Sequence, residues 1–294
     1  MGSDWLQFVA GGLTAGAIYA LVALGYSIVY NASHAINFAQ GEFVMVGGMA
    51  AVALVAAGLP LLLAVPLAVL AAGVVGVLVE KLALEPAQRS GRADVVTLII
   101  ITIGVALFLR GLAQVVWGKG IHALPAFSGS EPLALLGATI VPQSLWVLAG
   151  TTLAVLGLGW FFGRTLTGKA MRATAHNPLA ARLMGIDTRA VMRLSFALAA
   201  ALGALGGVLT APITFTTYDV GVMLGLKGFA AAMLGGLGSF AGAVAGGLLL
   251  GLVESLGAGF VSSAYKDAIA FVVILVVLFF LPGGLVGARR SERV

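Results

Sequence analysis

Cysteine is absent from the 294-residue chain, so neither disulfides nor thiolate metal sites hold it together. Charge is nearly as scarce. The 16 Lys+Arg and 11 Asp+Glu make up 9% of residues, where a soluble domain carries about 25%. A soluble fold of this length cannot cover its surface with so few charged groups, and with 61% of residues apolar the solvent around most of the chain is hydrocarbon. Positive charge is missing altogether ahead of Lys81. A secretory leader begins with a basic stretch and a short apolar core, so the long first run, Trp5 to Tyr30, is expected to be a retained span. Disordered chains, secreted disulfide scaffolds and soluble enzyme domains are excluded. The net charge of +5 is not a nucleic-acid footprint, because its basic residues collect in short stretches between apolar runs.

Those runs define the fold class, an all-α polytopic membrane protein forming one domain over 1–294. Stretches long enough for a core of about 30 Å fall near 5–29, 38–59, 61–79, 95–117, 142–162, 190–214 and 264–285. Basic residues gather at Lys81, Arg89 and Arg92, at 164–193, and at Arg289, Arg290 and Arg293, which predicts a cytoplasmic location for all three groups. Parity then requires 225–257 to begin and end outside, as a hairpin of two short passes or a re-entrant pair turning near 238–242. The expected bundle has about eight or nine helices, with its first residue outside and its last inside.

Glycine is abundant, 42 residues or about twice the customary share of ~7%. Gly12 and Gly16, Gly238, Gly242 and Gly246, and Gly247 and Gly251 repeat every four residues. Such spacing lets helix backbones approach closely where lipid provides no hydrophobic drive. It serves packing within the chain, a subunit interface or a moving gate. Glu42, Arg110 and Glu254 are ionisable groups within or near spans, where a charge must face protein or water. Asn37 and Gln40 precede Glu42, and Gly41 interrupts the helical pattern there. These five residues form a polar lining for a translocation path; otherwise the three charges are buried ion-pair glue, for instance Arg110 with either glutamate, or snorkel to the interface. His34 and His122 have no neighbouring ligand types at metal spacing, so no metal site is expected.

Gly163 to Lys169 has the spacing of a phosphate-binding loop, but Ala170 stands where a Ser/Thr hydroxyl would hold Mg²⁺, and the motif follows a membrane span rather than a strand. Any ATP is therefore hydrolysed by another chain. The loop 164–193 carries a punctuated short helix instead. Asn177 is an N-cap, Pro178 suits the first helical position, and Gly185 followed by Ile186 reads as a stop. Leu179, Leu183 and Met184 share a face, and Asp187 caps the next helix. A helix of about eight residues does not persist alone. It docks either on its own chain or lipid, or on a cytoplasmic partner.

Three blocks resemble the permeases of bacterial ABC importers of the branched-chain amino acid type, the LivH-like family: Ala20–Tyr30 with Ile36–Phe43, Met171–Ile186, and Lys227–Gly242 continuing through Glu254, Tyr265–Asp267 and Leu281–Leu285. Gln40 stands where the family more often has His. The resemblance implies a multi-pass permease of the bacterial inner membrane, paired with a second, similar permease, two cytoplasmic ATPase subunits and a periplasmic solute-binding protein. It implies that ATP and Mg²⁺ belong to those partners and no cofactor to this chain. It also assigns Asn177, Pro178, Leu179, Ala181, Arg182, Leu183, Gly185 and Ile186 to the helix that couples to the ATPase. Urea, other amides and aromatic acids are cargoes of close relatives. An ion-coupled secondary transporter is the rival class, with 225–257 as its substrate site. A membrane-embedded enzyme lacks the convergent nucleophile and base it would need.

Overall fold

The computed structural model describes residues 2–90, 94–129, 131–135 and 138–286. Arg92, Arg289, Arg290 and Arg293, and with them the basic C-terminal cluster, lie outside the described residues. The helices are α1 (Gly2–Ser33), α2 (Gln40–Ala56), α3 (Leu61–Val79), α4 (Glu85–Arg89), α5 (Val95–Trp117), α6 (Pro142–Arg164), α7 (Leu166–His176), α8 (Pro178–Leu183), α9 (Thr188–Thr214), α10 (Val220–Gly235), α11 (Phe240–Phe260) and α12 (Lys266–Phe280). A π-helical turn, Glu80–Leu84, joins α3 to α4. Among the described residues, seven helices have the length and apolarity to cross a membrane, and α2 and α10 are shorter apolar helices. The chain is an all-α polytopic membrane protein.

The core is built around α1 and α9. Ala20, Leu21, Val22 and Ala23 of α1 and Phe196, Ala199, Ala200 and Ala204 of α9 are fully enclosed, whereas Leu62, Val115, Leu153 and Phe279 stand out on the rim. Neither surface is polar, because lipid accepts the outer face as readily as protein accepts the inner one.

The connections between the spans follow from local chemistry. The second span, expected near 38–59, is α2, which begins at Gln40. A partly buried break at 34–39 separates α1 from α2, and the exposed His34 turns it with φ of 54°. Gly41 lies inside α2 rather than interrupting it, and its bare backbone faces Gly221 and Gly225 of α10. The region 118–141 contains an antiparallel hairpin, Leu133–Leu135 with Ala138–Ile140 (β1 and β2). The Gln7 side chain of α1 holds it by donating to Thr139 O at 2.9 Å and accepting from Thr139 N at 2.8 Å. α1 therefore starts at the same end of the bundle as 118–141.

The region 225–257 folds as a helical hairpin of α10 and α11, the form common to both expectations, with its turn at 236–239. Ser239 caps α11 by accepting from Gly242 N at 3.0 Å. Asn31, near the end of α1, donates to Gly238 O at 2.8 Å, and Phe240 stacks on Phe162 with centroids 4.6 Å apart. The turn thus sits at the end carrying α7 and α8, opposite the β-hairpin. Gly238 is not on the helix ridge with Gly242 and Gly246. It is a turn residue with φ of 89°, a backbone conformation that glycine adopts without strain.

Candidate translocation pathway and coupling helix

The break before α2 is assembled from side chains that supply what an interrupted helix lacks. Asn37 Oδ1 accepts from Ala39 N at 3.1 Å, and Thr102 Oγ1 of α5 accepts from Phe38 N at 3.1 Å. Gln40 Nε2 donates to Ala199 O of α9 at 2.9 Å. Gly25 leaves room for that amide, since a β-carbon there would come within 2.6 Å of Gln40 Cδ. Asn37 and Gln40 are both buried, one bonded to the break's own backbone and the other to α9.

Two residues further on, Glu42 Oε1 accepts from Arg110 Nη2 of α5 at 2.5 Å, with the Glu42 side chain 2% exposed and Arg110 30%. They border a cavity of about 180 Å³ between α2, α5 and α10, whose walls include Phe38, Leu107, Leu226 and Phe229. Of the five polar candidates from the sequence, this cavity takes only Glu42 and Arg110. Arg110→Leu is expected to lower uptake more than folded yield, measured as transport per molecule of correctly inserted protein; wild-type uptake would reduce the pair to structural glue.

Glu254 of α11 belongs to a separate ionic cluster. It accepts from Lys227 Nζ of α10 at 2.7 Å through Oε1 and from the Tyr19 hydroxyl of α1 at 2.8 Å through Oε2. Lys227 also pairs with Asp267 of α12 at 2.7 Å and donates to Tyr19 at 3.3 Å. Four helices meet on one buried ammonium. Sequence reasoning missed Lys227, Tyr19 and Asp267 as site residues. The signal was available: a lysine in an otherwise apolar run, 219 being the nearest charged position before it and 254 the nearest after.

The glycine spacing resolves into two contacts. Gly12 and Gly16 face Gly247 and Gly251, so the α1 and α11 backbones touch. A β-carbon at Gly16 would stand 2.8 Å from Leu248 Cα and 2.9 Å from Gly247 O. Gly242 and Gly246 instead close α11 against Gly235 of α10. Both contacts lie within this chain.

At the other end, the near-match to a phosphate loop folds as a helix junction. Thr165 caps α7 by accepting from Gly168 N at 3.0 Å, and a β-carbon at Gly168 would meet Phe162 Cα at 2.7 Å. α7 itself went unread in the sequence. Its signal is the three-residue spacing of buried Gly168, Met171 and Thr174. α8 follows, six residues long, with Asn177 Oδ1 accepting from Ala180 N at 3.0 Å. Its C-terminus is closed by Gly185 N donating to Arg182 O and Ile186 N to Ala181 O, both at 3.0 Å, with Gly185 at φ of 83°. Ala181 is buried, whereas Leu179, Leu183 and Met184 are 68%, 81% and 82% exposed. Arg182 Nε donates to Thr188 Oγ1 at 2.8 Å. The Asp187 carboxylate accepts from Ala190 N and Arg189 N, and these bonds hold its pKa below the usual carboxylate value. Its cap on α9 is therefore complete at neutral pH and is lost only as acid protonates it.

Residues 8–278 match the family model described as the branched-chain amino acid transport system / permease component. The chain belongs to that family. It is 35% identical over 308 residues to the high-affinity branched-chain amino acid transport system permease protein LivH of Escherichia coli K12, covering 99% of this chain and 98% of LivH. The corresponding permease protein BraD of Pseudomonas aeruginosa is 34% identical, again over 99% and 98% of the two chains. Among solved structures, a chain of PsaBC from Streptococcus pneumoniae, in complex with Fab, superposes with a TM-score of 0.51 at 13% identity, covering 95% of this chain and 96% of that one. That likeness establishes a shared fold. Within this permease family the apolar helices place the chain as a multi-pass protein of the inner membrane.

Proposed function

We propose that this chain is the permease subunit of an ATP-driven importer of branched-chain amino acids, working beside a second, similar permease. The observation that carries the reading is the nearly full-length match to permeases named for branched-chain amino acid transport. Two ATPase subunits bind the face formed by 164–193, and a solute-binding protein delivers cargo to the opposite face. That loop and the C-terminus are cytoplasmic, following the basic residues Arg164, Lys169, Arg172, Arg182, Arg189 and Arg193.

α8 is the coupling element in this reading. Exposed leucines and a methionine on a capped turn suit a cleft on a partner. Closure of the ATPase pair pulls on α8, and the buried side of the loop passes the displacement to α6 and α9, tilting the spans between inward-open and outward-open states.

The test is reconstitution of the permease pair with its ATPases and binding protein in liposomes, followed by ATP-dependent leucine uptake. Gly185→Val is expected to abolish the left-handed stop, because a β-branched residue does not hold φ of 83° without strain. Uptake falls and ATP hydrolysis stops responding to loaded binding protein, while membrane insertion persists. Unchanged uptake refutes the role of α8. Uptake by this chain alone under an ion gradient would establish a secondary transporter instead.

A further inference from the structure

We infer that the cleft between the α3–α4 junction and the root of α8 binds the phosphate head group of an anionic phospholipid. This goes beyond the importer reading and holds or fails whatever the cargo. Two segments remote in sequence, 81–89 and 182–193, meet around an open cleft of about 600 Å³. Lys81, Arg89, Arg182, Arg189 and Arg193 line it, against the carboxylates of Glu85 and Asp187. Five cations facing two carboxylates leave a surplus of three positive charges, and still two when the buried Glu80 of the π-helical turn is counted. The internal pairing leaves that surplus standing. Glu85 is taken by Arg89 at 2.6 Å, and the Asp187 carboxylate caps α9 with Arg193 4.0 Å away. Among the described residues, the exposed Lys81 and Arg189 have no ion-pair partner. Like charges gathered in one cleft repel, and an anion held between them turns that repulsion into attraction.

The position of the cleft decides what the anion belongs to. About 20 residues cross the hydrocarbon core, and α3 starts at Leu61, so Lys81 comes at the edge of that core, in the head-group layer. Arg189 and Arg193 stand in the first turns of α9, which packs along α3. Leu70, Val74, Leu78 and Leu82, four residues apart, form an exposed apolar row on α3 and its π-helical turn that ends beside Lys81. A phospholipid meets both features at once, its tails along the row and its phosphate accepting from the lysine and the guanidinium groups. A free phosphate would use the charges alone. The cleft is also separate from the partner-facing side of α8, because Leu179, Leu183 and Met184 do not line it and α8 enters it through Arg182.

The test is lipid retention by the purified full-length chain. Native mass spectrometry after exchange into equal amounts of phosphatidylglycerol and phosphatidylcholine is expected to show one phosphatidylglycerol held per chain. Lys81→Gln with Arg189→Gln should weaken that retention about twentyfold, since each basic residue beside an anionic lipid contributes about a fivefold gain. Lys169→Gln with Arg172→Gln removes the same charge from α7, outside the cleft, and should retain lipid as the wild type does. All are compared at equal folded fraction, read from monodisperse protein on gel filtration. Equal weakening by the two double variants, or equal retention of the two lipids, reduces the effect to general surface charge and overturns the site. Displacement of phosphatidylglycerol by inorganic phosphate assigns the cleft to a free anion and overturns the lipid. Full lipid retention by the cleft variant, together with loss of its ATPase, makes the cleft a protein-docking surface instead.

Discussion

Lys227→Met is expected to lower the thermal midpoint of the purified permease by about 6–10 °C, from a loss of about 3–5 kcal/mol. The ammonium is the common partner of Glu254, Asp267 and Tyr19, so its removal leaves two acidic side chains with only the half-exposed Lys266, 3.9 Å from Glu254 Oε1, beside them. Breaking a buried ion pair on one side costs far more than replacing the whole pair, because the surviving charge remains desolvated. The diagnostic comparison is therefore the triple variant Lys227→Met, Glu254→Gln, Asp267→Asn, which should recover most of the midpoint. A triple variant as unstable as the single one would show that Lys227 acts through packing of its stem and not through its charge. Because the cluster joins α1, α10, α11 and α12, the loss should also appear as faster proteolysis around 261–266, where α11 hands over to α12.

The second large effect lies at the crossing of α1 and α11. Gly16→Leu places a side chain where Leu248 Cα is 2.8 Å from the position of the new β-carbon. The obstruction is backbone, which has no rotamer to yield, so the helices must separate. Overpacking costs about 1–3 kcal/mol where side chains can move aside, and a backbone collision exceeds that range. Most of the variant should fail to accumulate as monodisperse protein after detergent extraction. Gly157→Leu is the control, since no atom lies within 4 Å of a β-carbon at that exposed position of α6. Equal yields for the two variants would disprove the close crossing.

The parts of the molecule legible in the sequence are those decided by neighbours along the chain. The spans followed from run length, and the cap, first-turn proline and left-handed glycine of α8 are all within ten positions of one another. The paired helices over 225–257, two short passes or a re-entrant pair, follow from parity and the glycines, and they turn close to the expected place. α7 was missed because its buried face is made of Gly168, Met171 and Thr174, only one of which is a large apolar residue. Gly238 was grouped with Gly242 and Gly246 because spacing alone does not separate a turn glycine from a ridge glycine.

Membrane class, the span positions, the capped knob in the basic loop and the family resemblance were determined by the sequence alone. Tertiary structure decided that Arg110 takes Glu42 and not Glu254, that Lys227 gathers three partners, and that Gly12 and Gly16 meet Gly247 and Gly251. The reason is physical. In water, a helix announces its inner face by being apolar there and polar elsewhere. In a bilayer both faces are apolar, so helix rotation and partner choice leave almost no periodic trace. They are settled by a few buried charges and bare backbones that find each other across the bundle.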